Sequence, residues 1–322
     1  MIETPVPAMP TPSAEDLLRD ELSQGDVQIG TYAPILRHLL ASDEHSVFSD
    51  EIIARVRGMM ADMARQLLEE MGASGENDGV RSHDPVAVAA LVSRFVGHQG
   101  LLTHCHALAL EWQLTQALQG RLALDPVLSP LMQALIASSE TLTATQAMAL
   151  LASQARFAQN QRRMQLPLSE LPGDLLHAVL VALRSYGAED PQRVESCAKA
   201  ESAIRSKFDE GRSRLGLIAR LLGAMGGGAT AALSVGHAGA AMFVSALAMA
   251  SGQDRDMAIM ATSEGQFARL ALSLRAAGLK PQGVEEQFMA LFPDVTLPEN
   301  FDQLGSDRAA ALLAGTSPFN GF

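Results

Sequence analysis

From Leu221 to Gln253 the chain runs 33 residues without Asp, Glu, Lys or Arg, and no other feature restricts the fold as much. A stretch of that length can span a bilayer. It also holds seven glycines, many alanines and His237, and Gly226, Gly227 and Gly228 would interrupt a continuous helix. Low hydrophobicity with a central break suits a tightly packed, buried helical hairpin. The glycine run lacks the lysine and spacing of a phosphate loop and follows no strand, so it is not read as a nucleotide site.

A buried hairpin needs a large chain around it. With 322 residues, about three quarters of the unfolded surface can be buried, as one large or two medium domains. Apolar residues make up 48% and aromatics only 4%; the difference is Ala, Leu and Met, which lose little rotamer freedom in helices. No run of alternating β-branched residues bounded by turn signals exceeds four positions, so strands are not expected. The fold class expected is all-α.

Helix signals recur along the chain. Ser13, with Asp16 three positions on, reads as an N-cap opening a short helix to about Gln24, and a second begins near Thr31 with Pro34 in its first turn. Residues 49–71 form the clearest amphipathic helix: Ile52, Ile53, Val56, Met59, Met60, Met63, Leu67 and Leu68 recur at threes and fours. Such a stripe is covered either by its own neighbours or by a partner helix or second copy. Asp84-Pro85, Asp125-Pro126 and Asp190-Pro191 each fit an N-cap carboxylate followed by proline at the first helical position. Helices are expected at about 85–97, 101–119, 126–138, 143–163, 173–186 and 191–225, the last breaking at Gly211. Shorter ones follow at 229–235, 238–251, 254–262, 265–277, 281–292 and 307–314.

Composition divides the chain. Residues 1–12 carry four prolines and read as a disordered head without the apolar core of a secretory signal. Residues 13–71 are an acidic helical region. Residues 72–83, GASGENDGVRSH, are a glycine-rich linker. Residues 84–322 hold many short helices with brief turns, the pattern of a helical-repeat array in which each pair buries its face against the next. Thr141–Arg184 reads as helix, basic turn, helix, and it matches Ala246–Phe292 weakly: Ala134, Leu135 and Ser139 align with Ala246, Leu247 and Ser251, and Leu168 with Leu279.

The strings QAMALLASQARFAQNQRRMQLPLSELPGDLLHAVL and FVSALAMASGQDRDMAIMATSEGQFARLALSLRAAGL resemble a family of uncharacterised bacterial proteins, a domain of unknown function built from HEAT-like helix pairs. The resemblance covers about 125–292 and lies in helix phasing. It implies HEAT-like stacked helix pairs and carries over no reaction.

Charge narrows the partners. The first hundred residues hold 16 acids and 7 bases, the second hundred 8 and 7, the remainder 12 and 10. Phosphate backbones need clustered cations, so nucleic acid is not expected. Cys105 and Cys197 read as buried free thiols in a reducing cytoplasm. The densest polar cluster is Gln154–Arg163. Arg156 and Arg163 lie seven apart on one helix face, Arg162 sits near the helix end where cations suit the macrodipole, and Phe157 lies among them. Arg156, Phe157, Arg162 and Arg163 are therefore the expected contact for a protein partner or anion; the alternative is a solvated helix end paired with Glu170 and Asp174.

No metal or cofactor is expected. His104 and His106 diverge around a helix, and neither His-Glu-x-x-His nor paired Cys-x-x-Cys rescues His98, Cys105 and Glu111 as ligands. No Gly-x-Ser-x-Gly elbow, kinase set or dinucleotide fingerprint occurs. Glu69-Glu70, Asp209-Glu210 and Glu285-Glu286 are sequence neighbours that diverge around a helix. The expectation is a non-enzymatic cytoplasmic protein-interaction or scaffold module, with residues 49–71 open to self-association. Two rivals are a membrane-associated scaffold using 221–253 or the 49–71 face, and a helical-bundle enzyme or ligand-binding regulator with dispersed site residues.

Overall fold

A computed structural model describes residues 13–41, 50–74 and 84–315. Among these residues the fold is all-α, with fourteen α-helices, four 3-10 segments and no strand. The expected head at 1–12 and the 75–83 part of the expected linker lie outside the described residues.

Helix α1, Ala14–Ala41, is continuous where two helices were expected. Ser13 does open it, accepting from the Asp16 backbone N–H at 3.2 Å. Pro34 lies inside it, and Gly25 is held against the Gln266 side chain, whose Nε2 donates to the Gly25 carbonyl at 2.9 Å. Tertiary contact therefore overrides the local break signals. Helix α2, Asp50–Ser74, runs through Gly72 into the expected linker.

The Asp-Pro signals split. Asp84 caps α3 (Pro85–Val96) and Asp190 caps α8 (Pro191–Lys207) through side-chain bonds to Val86 N and Gln192 N. Asp125 instead closes a turn, accepting from Val127 and Leu128 N–H at 2.8 Å. Ser129 then caps α5, Pro130–Ile136. Between these lie α4 (Gln99–Leu122), α6 (Thr141–Arg162) and α7 (Gly173–Gly187). After a 3-10 turn at Glu210–Arg212 come α9 (Arg214–Met225), α10 (Val235–Ser251), α11 (Arg255–Met260), α12 (Phe267–Ala276), α13 (Pro281–Leu291) and α14 (Ser306–Ala314). The weak repeat survives in position only: α6 is one helix, whereas its counterpart is divided into α11 and α12.

Helix α4 is the axis. Leu101, Leu102, His104–Ala109, Glu111, Trp112, Leu114, Thr115 and Leu118 are all buried, so neighbours surround it and its sequence shows no single apolar face. Its first half joins one core with α2, α3, α7, α8 and the end of α1; its second half joins another with α5, α9, α10, α12, α13, α14 and the start of α1. Helices α1 and α2 thus belong to the same packed body as residues 84–315. Val56, Met59, Met60, Met63, Leu67 and Leu68 of α2 are buried inside the chain, so the stripe considered for self-association is already covered.

The charge-free stretch is half as expected. Residues 240–248 of α10 are buried, and Gly239, at φ +72°, breaks that helix where Ser129 packs against it, a backbone state that L side chains rarely adopt. Gly226–Leu233, however, forms an eight-residue 3-10 segment whose glycines are exposed. Arg214–Leu233 is apolar enough by composition to cross a bilayer, but it begins at a buried arginine and includes this segment.

Candidate functional site

The expected contact residues separate. Arg156, Arg162 and Arg163 are exposed towards the end of α6, and their side chains have no hydrogen-bond or ion-pair partner among the described residues. Glu170, suggested as their partner, instead accepts from the Arg214 backbone N–H at 2.8 Å. Phe157 is a correction. It is buried, with the Arg214 guanidinium carbon 3.7 Å above its ring centroid, and so cannot share a surface with the three arginines.

The backbone that presents these arginines is fixed by one face of α2. Arg55, Gly58, Asp62 and Gln66 recur at threes and fours, which aligns them along the helix. Arg55 donates to the Gln161 carbonyl, Asp62 accepts from Leu166 N–H at 3.1 Å, and Gln66 donates to Leu166 O at 2.9 Å and accepts from Leu168 N–H at 3.0 Å. Between them Met164, at φ +56°, sits on Gly58. A β-carbon at Gly58 would lie 2.6 Å from the Met164 Cβ, so glycine is required there.

Beneath Phe157 lies a cluster that sequence reasoning missed. Glu111 is fully buried on α4. Arg214 grips both its carboxylate oxygens, at 2.5 and 2.9 Å, and Arg255 adds a third bond at 2.9 Å. Burial works against the carboxylate, yet the two guanidinium groups outweigh it and hold its pKa down at about 2. Gln154 accepts from Arg214 at 3.3 Å, and Ser245 from Arg255 at 2.8 Å. Removing charges from water costs several kcal/mol per ion, which this pairing offsets, although Arg255 Nη1 is buried without a partner among the described residues.

Arg255 also lines a cleft of about 570 Å³ between the start of α4, the start of α7 and the loop into α11. His104 is on its floor, with Nδ1 3.1 Å from Asp256. Burial opposes ionisation of Asp256, but His104 and then Arg255 prevail and hold its pKa below the usual range. An ionised carboxylate can only accept, so His104 Nδ1 carries a proton and donates it to Asp256.

Among the described residues no group of three or more His, Cys, Asp or Glu side chains is placed to hold a metal ion. His106 packs edge-on to Tyr32 with ring centroids 5.5 Å apart, and burial lowers its pKa to about 4 despite Asp256. Burial likewise raises the Cys105 thiol to about 12. Comparison with protein-family models, curated proteins and solved structures yields no significant match, so any function must be argued from these side chains.

Proposed function

We propose that the chain is a non-enzymatic helical scaffold of the cytoplasm, with helix pairs of HEAT-like type, that binds an acidic segment of a partner protein at the end of α6. The observation carrying this reading is that Arg156, Arg162 and Arg163 are exposed and unpaired on a backbone braced by α2, in a chain of net charge −12. Guanidinium groups suit this task because their planar fork meets carboxylates bidentately and is weakly hydrated. Bracing reduces the ordering cost of binding.

The test is affinity purification of the full chain from its native host, wild type beside R156E/R162E/R163E, with mass spectrometry of the bound proteins. At least one specific partner is expected to disappear from the triple variant. Retention of every partner removes the site.

A further inference from the structure

The cleft beside His104 is separate from the arginine face of α6. Arg255 lines it with 15% of its side chain exposed, and its three guanidinium nitrogens are treated unequally. Nε donates to Ser245 at 2.8 Å and Nη2 to Glu111 at 2.9 Å, whereas Nη1 is buried without a partner among the described residues. Buried polar atoms are satisfied in the great majority of cases, and a guanidinium stays protonated and can only donate. What Nη1 calls for is an acceptor. A carboxylate is the strongest match, because a hydrogen bond between charged groups is roughly twice as strong as a neutral one. His104 Nε2, on the floor of the same cleft, is a second buried nitrogen without a partner among the described residues.

The mouth of the cleft carries the opposite sign. Asp174 in the first turn of α7 and Asp254 at the N-cap of α11 line it, both exposed, and neither side chain has a hydrogen-bond or ion-pair partner among the described residues. A simple anion would meet these two carboxylates first, and a simple cation would leave Nη1 unanswered. A small molecule that carries both charges meets both demands. Leu175, Leu215 and Met257 supply apolar wall, and the volume of about 570 Å³ falls within the roughly 300–1,000 Å³ usual for small-molecule sites.

We infer that this cleft binds a free α-amino acid with an apolar side chain. Its carboxylate accepts from Arg255 Nη1, its ammonium group lies against Asp174 and Asp254, and its side chain rests on Leu175, Leu215 and Met257. Nη1 is screened from bulk water, so the carboxylate reaches it after a small side-chain shift of the kind common on binding. The site goes beyond the scaffold reading and does not depend on it.

The experiment uses the full chain, titrated calorimetrically and by thermal shift at physiological salt with L-leucine, L-methionine and L-phenylalanine. Each is run beside its decarboxylated amine, which keeps only the positive charge, and its N-acetyl derivative, which keeps only the negative one. At least one amino acid is expected to bind saturably and raise Tm, with its amine and its N-acetyl acid each at least about tenfold weaker. D174N/D254N should weaken the amino acid by a similar factor while keeping the unliganded Tm, since neither carboxylate has an internal partner. R255K keeps the positive charge beside Glu111 but offers no third nitrogen, and should weaken the amino acid while leaving the amine unchanged. R156E/R162E/R163E should bind the amino acid as wild type does. Absence of amino-acid binding overturns the inference, and so does an amine or an N-acetyl acid that binds as tightly. Equal binding by D174N/D254N, or loss in R156E/R162E/R163E, would place the ligand elsewhere and overturn it too.

Discussion

Arg214 stacks on Phe157 with its guanidinium carbon 3.7 Å from the ring centroid while both its Nη atoms hold the carboxylate of Glu111. One side chain thereby ties α9 to α4 and α6 at the centre of the molecule. Glu111→Ala leaves Arg214 and Arg255 buried without their counter-ion, and the expected loss is about 3–5 kcal/mol by urea denaturation. E111L/R214M/R255M, which removes the charges together, should recover most of it. A single variant that costs less than about 1 kcal/mol would show the cluster to be solvated.

Acid should unfold the chain early, for two reasons with the same sign. His106 has its folded pKa lowered to about 4 from an ordinary value near 6.5, so the unfolded state binds the extra proton between those values. Stability is intact above 6.5 and falls by up to about 1.4 kcal/mol per pH unit towards 4. Glu111, lowered to about 2, adds a further loss as pH falls from about 4.5. Chemical denaturation midpoints between pH 7 and 4 test this. H106Q should flatten the upper limb, and an unchanged limb in that variant would assign the effect elsewhere.

Gly58→Ala presses a methyl group into Met164 and its carbonyl. The expected cost is about 1–3 kcal/mol, as for other overpacked sites. If the bracing by α2 matters for recognition, the variant also loses partner affinity although all three arginines remain. R156E/R162E/R163E should do the reverse, losing the partner with stability within about 0.5 kcal/mol of wild type. Circular dichroism melts beside the pull-down separate the two patterns.

Neither thiol should react in the folded chain. Cys105 and Cys197 are both buried and free, and burial keeps Cys105 protonated up to about pH 12. Ellman's reagent should therefore detect them only after denaturant is added. Rapid labelling of Cys105 under native conditions would mean that α4 is not enclosed.

What was legible in the sequence is what local physics determines. The caps Asp84 and Asp190 gave the starts of α3 and α8 because a carboxylate beside proline settles the first turn without help. The exposure of Arg156 and Arg163 followed from their place on one face of α6. Phe157 was misplaced because its cover, Arg214, arrives 57 positions later in the chain. Glu111 was set aside among histidines for the same reason: its partners are 103 and 144 residues away. Helix α4 concealed its role because a helix enclosed on all sides has no periodic face to read. The expected gap between a helix ending near Gln24 and one starting near Thr31 is closed in α1, where Gln266 bonds the Gly25 carbonyl.

Because α4 runs through both apolar cores and α1 contributes one end to each, neither half of the molecule can be detached intact. Severing the chain within 75–83 separates α2 from the helices that enclose it, so the fragments should regain native ellipticity only when mixed. Melting of the whole chain should accordingly be a single cooperative event, and a truncation at either end should be felt at the other.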